Sequence, residues 1–240
     1  MPTTPLTEPR TLLFEPDTST RRVWEGALRG HGHTVMGTGQ SDGAIILTES
    51  FHPDVVLWNG ESLDSVTSVG RVRMLTDAYL IGLTRAGDAE RRIALLTAGA
   101  DATLTVPCPA AEVVAQVGAV LRRPRTVTAP TVAVSHRRRF GPLELDAGRR
   151  DVSLAGRAVP LTRIEFDVLS HLCNHPAEVI SREELVVSIW GPEWRGDTHM
   201  VDVHVSNMRR KFERIDASAF VVQTVRGIGF RLAPGLVDAA

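Results

Sequence analysis

Residues 197–212, DTHMVDVHVSNMRRKF, and residues 221–232, VVQTVRGIGFRL, decide the fold of the second half of this chain. Four apolar side chains of the first stretch recur at the helical period: Val201, Val205, Met208 and Phe212. This spacing predicts an amphipathic helix with one buried stripe, a polar to basic opposite side and Asp197 as its N-cap. In the second stretch, the glycines that follow Arg226 predict a tight turn between two strands.

Two further helices are predicted upstream by capping boxes, in which a Ser or Thr and a Glu three residues later cap the first N–H groups. Thr162 with Glu165 begins one helix, and Ser181 with Glu184 begins a shorter one. Helix, short helix, polar-faced helix and hairpin in this order predict a winged helix-turn-helix. A polar and basic helix fits the major groove of DNA, and an arginine at a hairpin tip fits the minor groove. We therefore expect a DNA-binding unit.

Residues 140–232 resemble the effector domain of the OmpR-like response regulators. The matching segments are LTRIEFDVLSHLCNHPAEVISREELVVSIWG, VDVHVSNMRRKF and VVQTVRGIGFRL. The resemblance implies a small antiparallel sheet before the first helix, with Phe140–Leu145, Asp151–Leu154 and Arg157–Pro160 as candidate strands. The predicted winged helix-turn-helix domain, of α+β class, then covers residues 139–234.

The same resemblance implies how DNA is bound. The third effector helix would lie in the major groove of double-stranded DNA, and the hairpin, or wing, would reach the minor groove. The implied contacts from the helix and the wing are His199, His204, Ser206, Asn207, Arg209, Arg210, Thr224, Arg226 and Phe230. Trp190 and Thr198 are implied contacts with phosphates, and Asn207 suits adenine, which an amide binds bidentately. Family members bind direct repeats in pairs, so a homodimer on a direct-repeat operator is expected.

In the first half, short apolar runs alternate with helical patterns, which predicts an α/β fold with a doubly wound parallel sheet. The runs are Thr11–Phe14, Val55–Trp58, Leu80–Leu83 and Ala102–Thr105, and the helical patterns lie at 19–30, 40–51, 64–77, 88–98 and 109–123. This alternation is similar to the five-stranded, flavodoxin-like receiver of response regulators, over residues 10–123. The stretch between the two predicted domains, 124–138, has no helical period and is interpreted as a linker.

The carboxyl ends of the predicted strands form the expected receiver pocket. Its residues are Glu15, Asp17, Asn59, Thr84 and Val106. The family has its phospho-accepting Asp where Asn59 stands, an acid where Pro16 stands and a lysine where Val106 stands. An amide cannot form an acyl phosphate, and the charge of a phosphoryl group requires a metal ion and a cation. Since Lys211 is the only lysine in the chain, we predict a degenerate receiver that acts without phosphorylation.

The signal that replaces phosphorylation has more than one interpretation. Trp58, Val106 and Cys108 make the pocket more apolar, which fits a small organic ligand but also simple filling of the space. A receiver of this kind could instead bind a protein partner. Dimerisation through the fourth helix, fifth strand and fifth helix would use cross-pairs from Arg92, Asp101, Glu112 and Arg123.

Composition excludes several classes of protein. Two cysteines, Cys108 and Cys173, with no signal sequence and no long apolar run, predict a protein of the reducing cytoplasm without a membrane span. The net charge of −1 does not indicate nucleic acid by itself, so only the local arrangement does. His171 and His175 lack a third ligand, and no nucleophile motif is present, so we expect no enzyme, metal site or cofactor.

Overall fold

The computed structural model describes residues 8–62, 64–122, 137–192, 194 and 198–237. The chain forms two compact units, which divide after residue 123. Within the described residues, no helix is long and apolar enough to cross a membrane.

The first unit is a doubly wound α/β sheet with five parallel strands in the order β2-β1-β3-β4-β5. The strands are β1 Arg10–Phe14, β2 Thr34–Thr38, β3 Val55–Asn59, β4 Tyr79–Arg85 and β5 Ala102–Val106. The helices are α1 Thr18–Gly30, α2 Ser41–Phe51, α3 Ser65–Leu75, α4 Ala89–Ala98 and α5 Ala110–Leu121. β1, β3 and β4 are almost entirely buried, as expected of inner strands covered on both faces, and this explains their continuous apolar runs.

The strand that no apolar run predicted is β2, at the edge of the sheet. Only Val35 of its five residues is buried, so the segment carries no apolar pattern. At Gly37 the side chain of Glu25 from α1 approaches closely, since a Cβ there would lie 1.9 Å from Glu25 Oε1 unless that side chain moved. Four strands were predicted from apolar runs, and β2 was expected only because the resemblance to receivers implies five strands.

The second unit is α+β. It begins with an antiparallel sheet in the order β6-β7-β8-β9, and a smaller sheet has the order β10-β12-β11. The strands are β6 Arg137–Phe140, β7 Leu143–Asp146, β8 Asp151–Leu154, β9 Arg157–Ala158, β10 Ile180–Ser181, β11 Val222–Val225 and β12 Gly229–Leu232. The helices are α6 Arg163–Asn174, α7 Arg182–Trp190, α8 Met200–Ile215 and α9 Pro234–Val237. The β11–β12 hairpin is the wing.

The first sheet differs from the prediction at its beginning. Phe140–Leu145 is not one strand, because Gly141, with a φ of 54°, turns the chain between β6 and β7. β6 starts at Arg137, within the stretch interpreted as a linker, and residues 124–136 lie outside the described residues. β9 is shorter than expected and ends at Ala158.

The helix starts follow from local sequence. Thr162 and Glu165 form the reciprocal capping box of α6, and Ser181 Oγ accepts from the Glu184 N–H at 3.0 Å at the start of α7. The buried side of α8 includes the predicted stripe Val201, Val205, Met208 and Phe212. The expected N-cap of α8, Asp197, lies outside the described residues, and the helix begins at Met200.

Candidate DNA-binding surface and receiver pocket

The outward side of α8 and the tip of the wing form one candidate surface of the second unit. On α8 and just before it, His199, Ser206 and Arg210 are exposed and Thr198 is half-buried. On the wing, Thr224 and Arg226 are exposed, and Arg226 precedes Gly227, whose φ of 74° makes the turn. These side chains are available to a partner as large as a DNA duplex.

Three of the implied DNA contacts have side chains that lie in the core of the second unit. Trp190, His204 and Phe230 each expose at most 2 % of their surface. The rings of Trp190 and His204 pack together with centroids 5.8 Å apart. The ring of Phe230 lies 4.9 Å below the guanidinium of Arg182. Side chains enclosed in this way cannot reach a base or a phosphate.

Asn207 is also buried, and its Oδ1 accepts a hydrogen bond from Arg210 Nη2. The implied bidentate contact with adenine therefore does not follow from its placement. Arg210, one helical turn further, is exposed and keeps further N–H donors.

Arg209 links α8 to the wing. Its Nε donates to the Val222 carbonyl at 2.9 Å, and its Nη2 donates to Thr224 Oγ1 at 2.8 Å. Burial lowers the pKa of this guanidinium, as removal of a charge from water does. Two of its three nitrogens are engaged by β11, so in this structure Arg209 holds the wing in position.

A second link was missed by sequence reasoning. Arg182, at the start of α7, makes a bidentate ion pair with Asp202 of α8, with Nη2–Oδ1 at 2.7 Å and Nε–Oδ2 at 3.0 Å. The same guanidinium stacks on Phe230 of the wing. Arg182 thus joins three elements, but its partners are distant in sequence and no local pattern predicts them.

A third link holds the far end of α8. Lys211 Nζ lies 2.6 Å from Glu165 Oε2, and that carboxylate also caps the Thr162 N–H of α6 at 2.7 Å. Glu165 is buried. The only lysine of the chain therefore joins α8 to the start of α6.

In the first unit, the pocket at the carboxyl ends of the strands is organised by an amide. Glu15, which is buried, accepts from the Asp17 N–H at 2.9 Å and from Asn59 Nδ2 at 2.8 Å. Asn59 Oδ1 accepts from the Glu61 N–H at 2.9 Å. A carboxylate on one side and an N–H on the other fix the orientation of the Asn59 amide.

Asp17, Val106 and Thr84, the other predicted pocket residues, differ in burial and in hydrogen bonding. Asp17 caps α1, and its hydrogen bond from the Thr20 N–H lowers the pKa of its carboxyl. Val106 lines the pocket, whereas Thr84 is fully buried and its Oγ1 finds no hydrogen-bond partner in the described part of the chain. Arg85 and Glu61, neither of them expected here, also line it.

These residues surround a cleft of about 820 Å³, which we call the receiver cleft. Its apolar wall consists of Pro16, Val23, Trp24, Val106, Pro107, Cys108, Pro109 and Ala110. Trp58 was expected in this wall but is fully buried against the ring of Phe14, with centroids 4.6 Å apart. Burial, with a smaller effect of Glu112, raises the pKa of the Cys108 thiol to about 11, so the thiol is protonated at neutral pH.

The expected dimer face is only partly supported by the placement of its residues. Asp101 is buried, accepts from Arg73 Nη2 at 2.7 Å and from the Leu80 N–H at 2.8 Å, and therefore cannot pair across a dimer. Glu112 is exposed and Arg92 is half-buried, while Arg123 lies outside the described residues.

The chain is similar to known proteins over both of its units. The family described as "Transcriptional regulatory protein, C terminal" matches residues 156–232. The chain is 34% identical to the transcriptional regulatory protein PrrA of Mycobacterium tuberculosis over 235 residues, covering 95% of this chain and 98% of PrrA. It is 30% identical to the DNA-binding response regulator MtrA of Mycolicibacterium smegmatis, covering 94% and 97% of the two chains. A solved structure of a RitR cysteine-to-serine mutant, 21% identical, shares the fold with a TM-score of 0.73 over 94% of this chain and 99% of RitR.

Proposed function

The chain belongs to the OmpR-like family of DNA-binding transcriptional response regulators, and we propose that it regulates transcription without phosphorylation of its receiver. The observation that carries the proposal is the Asn59 amide, hydrogen-bonded to Glu15 on one side and to the Glu61 N–H on the other. An amide cannot serve as the nucleophile that forms an acyl phosphate. Both ends of the Asn59 amide are already hydrogen-bonded to other residues of the pocket.

The surroundings of Asn59 support the same proposal. Phosphoryl transfer needs a metal ion and a cation to neutralise the transferred group. Pro16 has no carboxylate for a metal, and Val106 offers no charge. The cation that lines the cleft, Arg85, is paired with Glu61, with Nε–Oε2 at 3.1 Å. An incoming phosphate would therefore meet acidic groups, and no lysine is among the described residues that line the cleft.

We further propose that α8 enters the major groove and that the wing reaches the minor groove. His199, Ser206 and Arg210 are the contacts from α8, with Thr198 near phosphates. Thr224 and Arg226 are the contacts from the wing. Since Arg182 and Arg209 hold the wing against α8, the two elements reach DNA as one rigid surface.

The proposed assembly is a homodimer on a direct-repeat operator. Cross-pairs from the half-buried Arg92 and the exposed Glu112, at the solvent-facing side of the unit, would add only about 0–1 kcal/mol each. Apolar contact is therefore needed, and Ile93 on α4 offers it, with 53% of its surface exposed. Dimerisation of the unmodified chain would be measured by analytical ultracentrifugation with Ile93→Ser as the variant.

A second candidate function is regulation by a small organic ligand. The observation that favours it is the apolar wall of the receiver cleft, whose volume of about 820 Å³ falls in the range of small-molecule sites. Stabilisation of the chain by a purified compound, abolished by Val23→Arg, would support this function.

The experiment that tests the main proposal is operator affinity, measured on purified chain with and without acetyl phosphate and Mg²⁺. We expect the two dissociation constants to agree within about twofold, a free-energy difference too small for a switch. Tighter binding with the donor would overturn the proposal.

A further inference from the structure

The side chain of Glu61 ties the end of β3 to the end of β4. Its Oε1 accepts a hydrogen bond from the backbone N–H of Arg85 at 3.2 Å, and its Oε2 lies 3.1 Å from the Arg85 Nε. Its own N–H is held by Asn59 Oδ1 at 2.9 Å. One residue thus bridges the β3–α3 turn and the β4–α4 turn.

From this geometry we infer that Glu61 is a built-in carboxylate latch, which holds the end of β4 to the β3–α3 turn without a phosphoryl group. The anion at the pocket is the Glu61 carboxylate of the chain itself. It accepts a hydrogen bond from the N–H of Arg85, the residue that follows Thr84. The inference rests on the proposed function, because a latch of this kind matters only if no phosphoryl group is acquired.

The register of the sheet explains why the carboxylate is needed. Asn59 pairs with Leu83, and the Gly60 N–H donates to the Leu83 carbonyl at 2.8 Å, which is the last such backbone bond in the described β3–β4 register. The next N–H of β4 on this side belongs to Arg85, and β3 has already ended. Glu61 Oε1 accepts from it, so a side chain extends the ladder by one bond. A bond from an N–H to a carboxylate is stronger than one between neutral groups.

The chain of hydrogen bonds spans three strand ends. It runs from Glu15 after β1, through Asn59 at the end of β3, to Glu61 and then to Arg85 at the end of β4. Beyond Arg85, the short β4–α4 turn leads into α4, which begins at Ala89. The latch therefore fixes the approach to α4, the helix that carries Ile93 and Arg92 on the proposed dimer face.

The ion pair between the two side chains is the weaker half of the latch. The Arg85 side chain is 76% exposed, so its ion pair with Glu61 is screened by solvent. The other half, the hydrogen bond from the Arg85 backbone N–H, is also exposed, but it holds the main chain directly. Loss of that bond, and not loss of the ion pair, is what should release the β4–α4 turn.

This distinction sets the variants. Glu61→Ala removes both the acceptor and the charge, whereas Glu61→Gln keeps an oxygen for the Arg85 N–H and removes only the charge. Glu90→Ala is the matched control, since Glu90 is an exposed acid in the first turn of α4. All three are made in the full chain, and none alters a residue proposed to touch DNA.

The first readout is hydrogen exchange of the Arg85 amide, followed by NMR. We expect exchange about 10-fold faster in Glu61→Ala, and rates close to wild type in Glu61→Gln and Glu90→Ala. The second readout is operator affinity without any phosphodonor, which we expect to fall about 5-fold in Glu61→Ala and to stay unchanged in the other two.

Unchanged exchange in Glu61→Ala would overturn the latch, and so would faster exchange with unchanged operator affinity. An equal loss of affinity in Glu90→Ala would also overturn it, since bulk charge would then be the cause. The proposed function is tested separately by acetyl phosphate on the wild-type chain. If the donor has no effect and Glu61→Ala binds like wild type, only the latch fails; if the donor tightens binding, the proposed function fails.

Discussion

Asn59 Nδ2 donates a hydrogen bond of 2.8 Å to Glu15 Oε2, and this contact occupies the centre of the receiver pocket. In a receiver with an acidic pair at these positions, two carboxylates would face each other and would need a cation between them. Here the amide supplies the positive end of a dipole to Glu15. Residues of the chain itself therefore contact one another across the pocket.

Asn59→Asp should destabilise the first unit at neutral pH by about 1–3 kcal/mol, because it places a second negative charge against the buried carboxylate of Glu15. Mg²⁺ should recover part of this loss by binding between the two. Urea unfolding in EDTA and in Mg²⁺ measures both effects.

Asn59→Ala is the control for this prediction. It also removes the hydrogen bond to Glu15 but adds no charge, so its stability should not respond to Mg²⁺. An Asn59→Asp variant as stable as wild type in EDTA would show that Glu15 and residue 59 do not share one electrostatic site.

Lys211→Met should destabilise the second unit by about 2–4 kcal/mol, since it leaves the buried Glu165 carboxylate without its cation. Thermal or urea unfolding measures the loss. The double variant with Glu165→Gln should recover part of it, because no charge then remains unpaired. Strict additivity of the two single changes would contradict the contact.

Arg226→Ala should weaken operator binding by about 1–3 kcal/mol and relax the preference at flanking A·T positions, if the wing reads the minor groove. Gel-shift titration on operators that vary at those positions measures both effects. Arg149→Ala removes the same charge from the β7–β8 turn and should bind nearly as wild type. Equal weakening on every operator would make Arg226 a phosphate contact.

His171 should make stability depend on pH. Burial first, and the nearby His175 second, lower the pKa of His171, although Glu184 opposes the shift. The folded state therefore prefers the neutral ring. Its contribution to stability is fully present above the unfolded-state pKa of about 6.5 and is lost as the pH falls towards the lowered folded-state pKa.

His171→Leu should flatten the pH dependence of unfolding below about 6.5. Urea unfolding at a series of pH values tests this. An unchanged slope in His171→Leu would place the titration elsewhere.

The parts of the fold that could be predicted are those encoded locally. The capping box of Thr162 and Glu165 lies within four residues, and the apolar stripe of α8 has the helical period. β2 has neither feature, because an edge strand with one buried residue needs no apolar run. Its position is given by parallel pairing with β1, from Arg10 with Thr34 to Phe14 with Thr38.

The sequence predicted which residues lie near the candidate sites, but it did not predict which of them are buried or which partners they contact. His204 and Asp101 are polar, yet each is enclosed by a partner far away in sequence, Trp190 and Arg73 respectively. Glu61 was not expected in the pocket, because only the pairing of β3 with β4 brings it to Arg85. Burial and pairing of polar groups are tertiary properties, so a linear pattern does not contain them.

The central claim is that the receiver accepts no phosphoryl group, and the intact mass of the purified chain after incubation with acetyl phosphate and Mg²⁺ tests it most directly. A response regulator with an Asp at the acceptor position, treated in parallel, shows that the donor is active. The account predicts that this chain keeps its unmodified mass while the reference protein gains a phosphoryl group. A stoichiometric phosphoryl adduct on the wild-type chain, lost on treatment with hydroxylamine as an acyl phosphate is, would contradict it.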